Sequence, residues 1–188
     1  MPLVIGAAAF LLLIVFLLVS SVAPHDMSTF APSPIVENPE TGVLATDTVT
    51  IDASASDRWQ FFSFKRASAL QVPDSAGWDL ALQRFHVFVS GGAQDLGVRR
   101  FEDVTEVPES GYIETTFGRD TVSEALHHWY KYSFISHRLS PSGHVYAIRT
   151  RTGHYAKIEF LSYYCTGMAP GCVTFRYTYA RGGGTEFR

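Results

Sequence analysis

The stretch LVIGAAAFLLLIVFLLV, residues 3–19, contains no polar or charged side chain. Continued as a helix through Ala23 it would span roughly 30 Å, the depth of one bilayer core. Only Met1 and Pro2 precede it, without the basic lead of a secretory signal. Ser21-Val22-Ala23 resembles a small-residue cleavage site, but Pro24 follows, and proline there hinders the peptidase. No cysteine follows closely to accept a lipid. The segment reads as an uncleaved single-pass anchor over 1–23, with a cleaved signal peptide as the alternative. The first Lys or Arg is Arg58, so flanking charge does not set its orientation.

Residues 24–45 read as an extended linker. They carry Pro24, Pro32, Pro34 and Pro39 and no Lys or Arg. Such a linker holds a domain away from the membrane or lies along a partner. Beyond it, 46% apolar and 14% aromatic residues over the chain call for a packed core. A formal net charge of −3 leaves no basic excess to neutralise phosphates, which argues against nucleic acid as a partner.

The domain, 46–180, reads as mainly antiparallel β with one or two short helices. TVTIDAS alternates apolar and polar residues, RWQFFSF is aromatic and β-like, and GYIETTF is a short strand. HVYAIRT and RTGHYAKIEFLSYY form a hairpin about Thr152-Gly153, and CVTFRYTYA completes a meander. TVSEALHHWYKYS is the best helix candidate, with Thr121 or Ser123 as cap. Residues 181–188, RGGGTEFR, read as a flexible tail. In GWDLALQRFHVFVS the apolar residues change parity between Leu82 and Phe85. That reads as one strand with a bulge or bend, leaving His86 exposed or at a subunit contact rather than bound to iron.

Chemical motifs are sparse. There is no G-x-S-x-G elbow, phosphate-cradling glycine loop or H-E-x-x-H. Asp120, Glu124 and His127 share helical spacing, which more often marks a solvated helix face than a metal site. His127 and His128 are neighbours, which on a helix point about 100° apart and so do not readily chelate one ion. His137, His144 and His154 fall at strand ends or turns, where exposed histidine is ordinary. Asp79, beside Trp78, is either a proton-transfer group or an acceptor for backbone or indole N–H. Cys165 and Cys172 flank a Gly/Pro loop, either as a cross-hairpin disulfide or as two buried thiols. Met168 in that loop is a loop residue or a soft-metal ligand.

TVTIDAS, DRWQFFSF, GWDLALQRFHV, VPESGYIETTFG, HVYAIRTRTGHYAKIEFLSYY and CVTFRYTYA, in that order, resemble the HmuY family of extracytoplasmic haem-binding proteins. The resemblance covers nearly the whole domain and implies a β-rich fold with Trp59, Trp78 and Asp79 as structural signature positions. It also implies haem held between two axial side chains. One family ligand follows a Trp-x-x-aromatic-Ser run; here Trp129-Tyr130-Lys131-Tyr132-Ser133 is followed by Phe134, which cannot ligate iron. The segment carrying the other ligand, after Gly118-Arg119, is largely missing. His127, His128, His137 or Met168 would have to substitute.

The leading expectation is therefore a non-catalytic accessory subunit with no cofactor. It would be anchored in the bacterial inner membrane with its domain in the periplasm. Its partners would be the bilayer and other subunits of a membrane complex, respiratory or photosynthetic. The alternative is a membrane-tethered haem-binding protein. An enzyme ranks last, for want of a nucleophile, base and orienting group.

Overall fold

The structure, a computed structural model, describes residues 2–22, 27–35, 44–70, 77–116 and 123–188. Helix α1 (Pro2–Val22) comes first, and its described side chains, 5–19, are all exposed. Those side chains cover only ~21 Å of helix at 1.5 Å per residue. Among the described residues no helix is long and apolar enough to cross a membrane.

Short strands make up the domain. They begin with β1 (Thr29–Phe30), β2 (Leu44–Asp52), β3 (Gln60–Ser63) and β4 (Ser68–Leu70). Next come β5 (Leu80–Gln83), β6 (His86–Val89), β7 (Gly92–Val98) and β8 (Ile113–Glu114). The last are β9 (Tyr130–Ser133), β10 (Arg138–Pro141), β11 (His144–Arg149), β12 (Tyr155–Cys165) and β13 (Pro170–Ala180). A large sheet has the order β2-β13-β12-β11-β7-β8, with β1 added in parallel beside β12. A smaller sheet has the order β4-β3-β5-β6, and β9 and β10 form a separate hairpin. The fold is mainly antiparallel β, as the sequence suggests.

Alternation along the strands builds the core between the sheets. Ile158, Phe160, Phe175 and Tyr177 of the large sheet meet Phe62, Leu80, Leu82, Val87 and Val89 of the small one. Phe62 sits edge-on to Phe175 at 5.2 Å between ring centroids, and Phe64 lies 5.3 Å from Tyr177. Each such ring buries ~150–250 Å². The outer face of β11 and β12 is covered separately by Phe101, Val104, Val107 and Phe187. There the buried Lys157 Nζ donates to the carbonyls of Phe101 at 2.8 Å and Val104 at 2.7 Å.

Four expectations need correction. GWDLALQRFHVFVS is not one bulged strand but a hairpin, with Leu82 paired to Val87 and Gln83 to His86. The two-residue turn at Arg84-Phe85 reverses the chain, and reversal accounts for the parity change. Arg84 carries the positive φ of 54°. TVSEALHHWYKYS is not a helix in its described part. Only Glu124–Leu126 forms a 3-10 turn, and Tyr130–Ser133 is a strand paired to β10. Thr121 and Asp120 lie outside the described residues.

The linker is not a free spacer where it is described. Thr29 and Phe30 pair with Tyr164 and Cys165, Ser33 N donates to Thr50 O at 2.9 Å, and Ser28 O accepts from Ser162 Oγ. The tail is not loose either. Phe187 is buried, and 185–187 bonds to 105–107 through Val107 N to Thr185 O (3.0 Å) and Phe187 N to Thr105 O (2.9 Å). In both segments an apolar side chain, Met27 or Phe187, gives the strand-like backbone something to pack on.

Candidate functional site

A cleft of about 180 Å³ opens where the β5–β6 turn meets the segment around 123–130. Phe85, His86, Phe88, His127, Trp129 and Tyr130 are among the residues that line it. The turn puts Phe85 and His86 at the hairpin tip. Arg84 is fixed there by its N–H to Ala53 O at 2.7 Å and its guanidinium to Ser54 O at 2.9 Å. Trp129, 1% exposed, joins the two halves: its Nε1 donates to Phe85 O at 2.8 Å, and its ring lies 4.6 Å from Phe160. Phe85 in turn stands edge-on to Tyr130 at 5.5 Å.

His86 is exposed on its strand, as its place in the sequence suggests, but it is not isolated. Its ring lies 4.4 Å from that of Phe85, and it shares the cleft with His127. Partial burial, and secondarily the proximity of His127, push its pKa below the ordinary histidine value. His127 stacks on His128 with centroids 5.0 Å apart and planes 16° from parallel.

The other histidine and methionine candidates stand outside this lining. His137 lies in the β9–β10 turn at φ 53°, its Nδ1 2.6 Å from Tyr132 Oη. Phe134, at the resemblance's ligand position, is 83% exposed in the same turn. Met168 sits in the loop closed by the Cys165–Cys172 disulfide and packs partly on the core. Among the described residues no three His, Cys, Asp or Glu groups gather as a metal site. The meeting of His86 with His127 was missed because two segments distant in sequence make it. The one available signal was that each histidine adjoins an aromatic pair or run.

Asp79 serves as an internal acceptor. Its Oδ2 takes the Phe64 N–H at 2.8 Å, while its own N–H goes to Phe62 O at 2.8 Å. Trp59 packs 4.7 Å from Phe88, and Trp78 5.5 Å from Phe61. All three signature positions thus hold the small sheet together.

Solved structures share this architecture at low sequence identity. An apo HmuY analogue from Tannerella forsythia aligns with a TM-score of 0.65 and 17% identity, over 76% of this chain and 99% of its own. A putative HmuY-like heme-binding protein from Bacteroides vulgatus gives 0.61 and 21%, over 70% and 90%. A putative lipoprotein from Bacteroides fragilis gives 0.60 and 19%, over 70% and 88%. No curated protein matches. The family model described as HmuY protein matches residues 55–177, a span that takes in the small sheet, most of the large one and the cleft, and the chain belongs to the HmuY family.

Proposed function

We propose that this chain is a non-catalytic, extracytoplasmic binding protein, held at the membrane by α1, that takes a haem-class iron porphyrin at the His86–His127 cleft. The observation that carries the reading is the convergence of two imidazoles on one aromatic-walled cleft. Neutral imidazole is a common haem ligand, and the lowered pKa of His86 favours that form. Phe85 and Tyr130, both partly exposed, offer flat apolar surface to a planar ring system, backed by the buried Phe88 and Trp129. The donor set therefore fits the group. The volume fits only its edge, since about 180 Å³ is below the ~300–1,000 Å³ of an enclosing pocket.

Three further features support the setting. The chain is in the HmuY family, and one solved neighbour is described as a putative lipoprotein. The Cys165–Cys172 disulfide suits an oxidising compartment. The sequence 3–23, apolar throughout 3–19, has the length of one bilayer crossing.

The test is a haemin titration of the detergent-solubilised full chain, followed by absorbance. A low-spin Soret band is expected, and His86→Ala and His127→Ala should each remove it. A band that survives in the double variant, or a folded chain that leaves the haemin spectrum unchanged, sinks the reading.

One observation favours the rival reading of an accessory subunit in a larger membrane complex. Tyr132, Phe134 and Ile135 expose apolar surface together at the β9–β10 turn, as a contact with a neighbouring subunit would use. Gentle solubilisation and native co-purification decide it. Stable partner subunits released by Phe134→Ser support the rival, and a chain that purifies alone excludes it.

A further inference from the structure

We propose that a second cavity, at the opposite end of the β5–β6 hairpin from the cleft, binds a small polyvalent oxyanion, a polycarboxylate or a phosphate compound. This site is independent of the haem reading. The cavity holds about 560 Å³, within the range of small-molecule pockets. Two turns and two strand ends build it. The turn between β3 and β4 brings Lys65 and Arg66, the start of β5 brings Trp78 and Asp79, the β11–β12 turn brings Arg151 and His154, and the end of β13 brings Tyr179 and Arg181.

Charge is the first argument. Four of the chain's fifteen Lys and Arg residues line this one cavity, facing a single described carboxylate, on a protein whose net charge is −3. Gathering like charges around a concave wall raises local potential and draws anions in. Lys65 and Arg66 are exposed and enter none of the ion pairs found among the described residues. Arginine is suited to carboxylate and phosphate through its paired N–H groups.

The neutral lining is the second argument. Ser63 and Thr152 bring hydroxyls, and Tyr179, its pKa pushed up to about 12 by burial, remains a protonated phenol. The Trp78 ring, with the Arg151 guanidinium 5.9 Å from its centroid, gives a flat wall for the ligand's body. The lining therefore offers charge, hydrogen-bond donors and apolar surface together.

Asp79 makes the site pH-sensitive. Burial raises its pKa to about 6, against the lowering effects of the Phe64 N–H, the Ser63 hydroxyl, His154 and Arg151. Tyr179 faces it from β13, and Lys65, Arg66 and Arg181 complete the charged surroundings. An entering anion is repelled by the carboxylate and tolerated by the neutral acid. Affinity therefore rises as pH falls through about 6, and binding takes up a proton.

Isothermal titration of the detergent-solubilised full chain with citrate and with pyrophosphate, at low salt, tests this. Saturable binding of either anion is expected, and, relative to Asp79→Asn, in which the ligand's own protonation is the same, it should strengthen below about pH 6. The double variant Lys65→Ala, Arg66→Ala changes only exposed turn residues and should weaken binding at least ~10-fold, by loss of charge-assisted hydrogen bonds. Asp79→Asn should bind more tightly than the parent above about pH 6 and show a flatter pH profile. The idea is overturned if neither anion binds at millimolar concentration, or if the double variant, folded by circular dichroism, binds unchanged. Haemin spectra of the double variant should match the parent, so loss here leaves the other site standing.

Discussion

Lys157 is a charged residue at 4% exposure, yet it touches no ligand site. Its ammonium group replaces water with two backbone carbonyls and lies 4.3 Å from the Phe101 ring centre. It thereby closes the chain around 101–104 over the outer face of β12. Hydrogen bonds to a charged group contribute ~1.5–3 kcal/mol, and a buried carbonyl left bare costs ~1–3 kcal/mol. Lys157→Met keeps the stem and removes both bonds, so it should destabilise the fold by ~2–4 kcal/mol in urea denaturation. A midpoint equal to the parent's would show that the contact contributes nothing. Asp79 presents the opposite balance. Its folded pKa, about 6, lies above the ordinary 3.8, so the folded state holds the proton more tightly than the unfolded chain. Its contribution to stability is therefore full below 3.8 and is lost as pH rises through about 6. A shift of that size corresponds to ~3 kcal/mol. Asp79→Asn, which keeps an oxygen for the Phe64 N–H, should stabilise the protein above about pH 6 and lose that advantage in acid. Parallel pH dependences for parent and variant would contradict this account.

The β5–β6 hairpin shows what periodicity alone conveys. Leu80, Leu82, Val87 and Val89 were legible as core, and all four are buried. Their connection was not, because Arg84-Phe85 lacks the Gly or Asn that normally marks a two-residue turn. Arg84 holds its positive φ through bonds to Ala53 and Ser54, which come from a different part of the chain. The same reason hid the cleft. His86 and His127 are brought together by the Trp129–Phe85 hydrogen bond, a tertiary contact with no local signal. The β11–β12–β13 meander, by contrast, follows from alternation and the Thr152-Gly153 turn, and the register runs from Tyr155↔Ala180 to Tyr164↔Pro170. TVSEALHHWYKYS misled because its helix-forming residues precede an alternating Tyr130-Lys131-Tyr132 run that pairs with β10. The glycine pair after β6 has a specific duty. The chain crosses there from the small sheet to the large one, and a Cβ on Gly91 would lie 2.1 Å from Arg149 O. Gly91→Ala must push backbone apart, so it should cost ~1–3 kcal/mol, read as a lower thermal midpoint. A midpoint within error of the parent's would show that the crossing yields freely.

The sequence suggests a domain standing off from its helix on a proline-rich spacer, but β1 sets a shorter tether. Met27 already packs on the core and Ser28 O accepts from Ser162 Oγ just ahead of β1, so five residue steps separate Val22 from the first anchor. At ~3.5 Å per extended residue that is ~18 Å at most. If α1 spans the bilayer, the β1 edge and the neighbouring disulfide loop stay near the membrane surface, and the domain cannot reach a distant partner. The β1 segment should then matter to stability as well as to placement. Removing residues 1–26 takes away the helix while leaving Met27, β1 and the Ser33–Thr50 contacts in place. Removing 1–35 takes those away too. The first truncation is expected to leave a chain that no longer sediments with membranes after an alkaline wash and unfolds near the parent's temperature. The second should lose ~1–3 kcal/mol from several hydrogen bonds and the Met27 contact. At ~2–4 °C per kcal/mol for a chain of this size, that is a drop of several degrees. Equal unfolding temperatures for the two truncations would mean that β1 is only laid against the sheet and sets no tether. Membrane retention of both would remove α1 as the anchor.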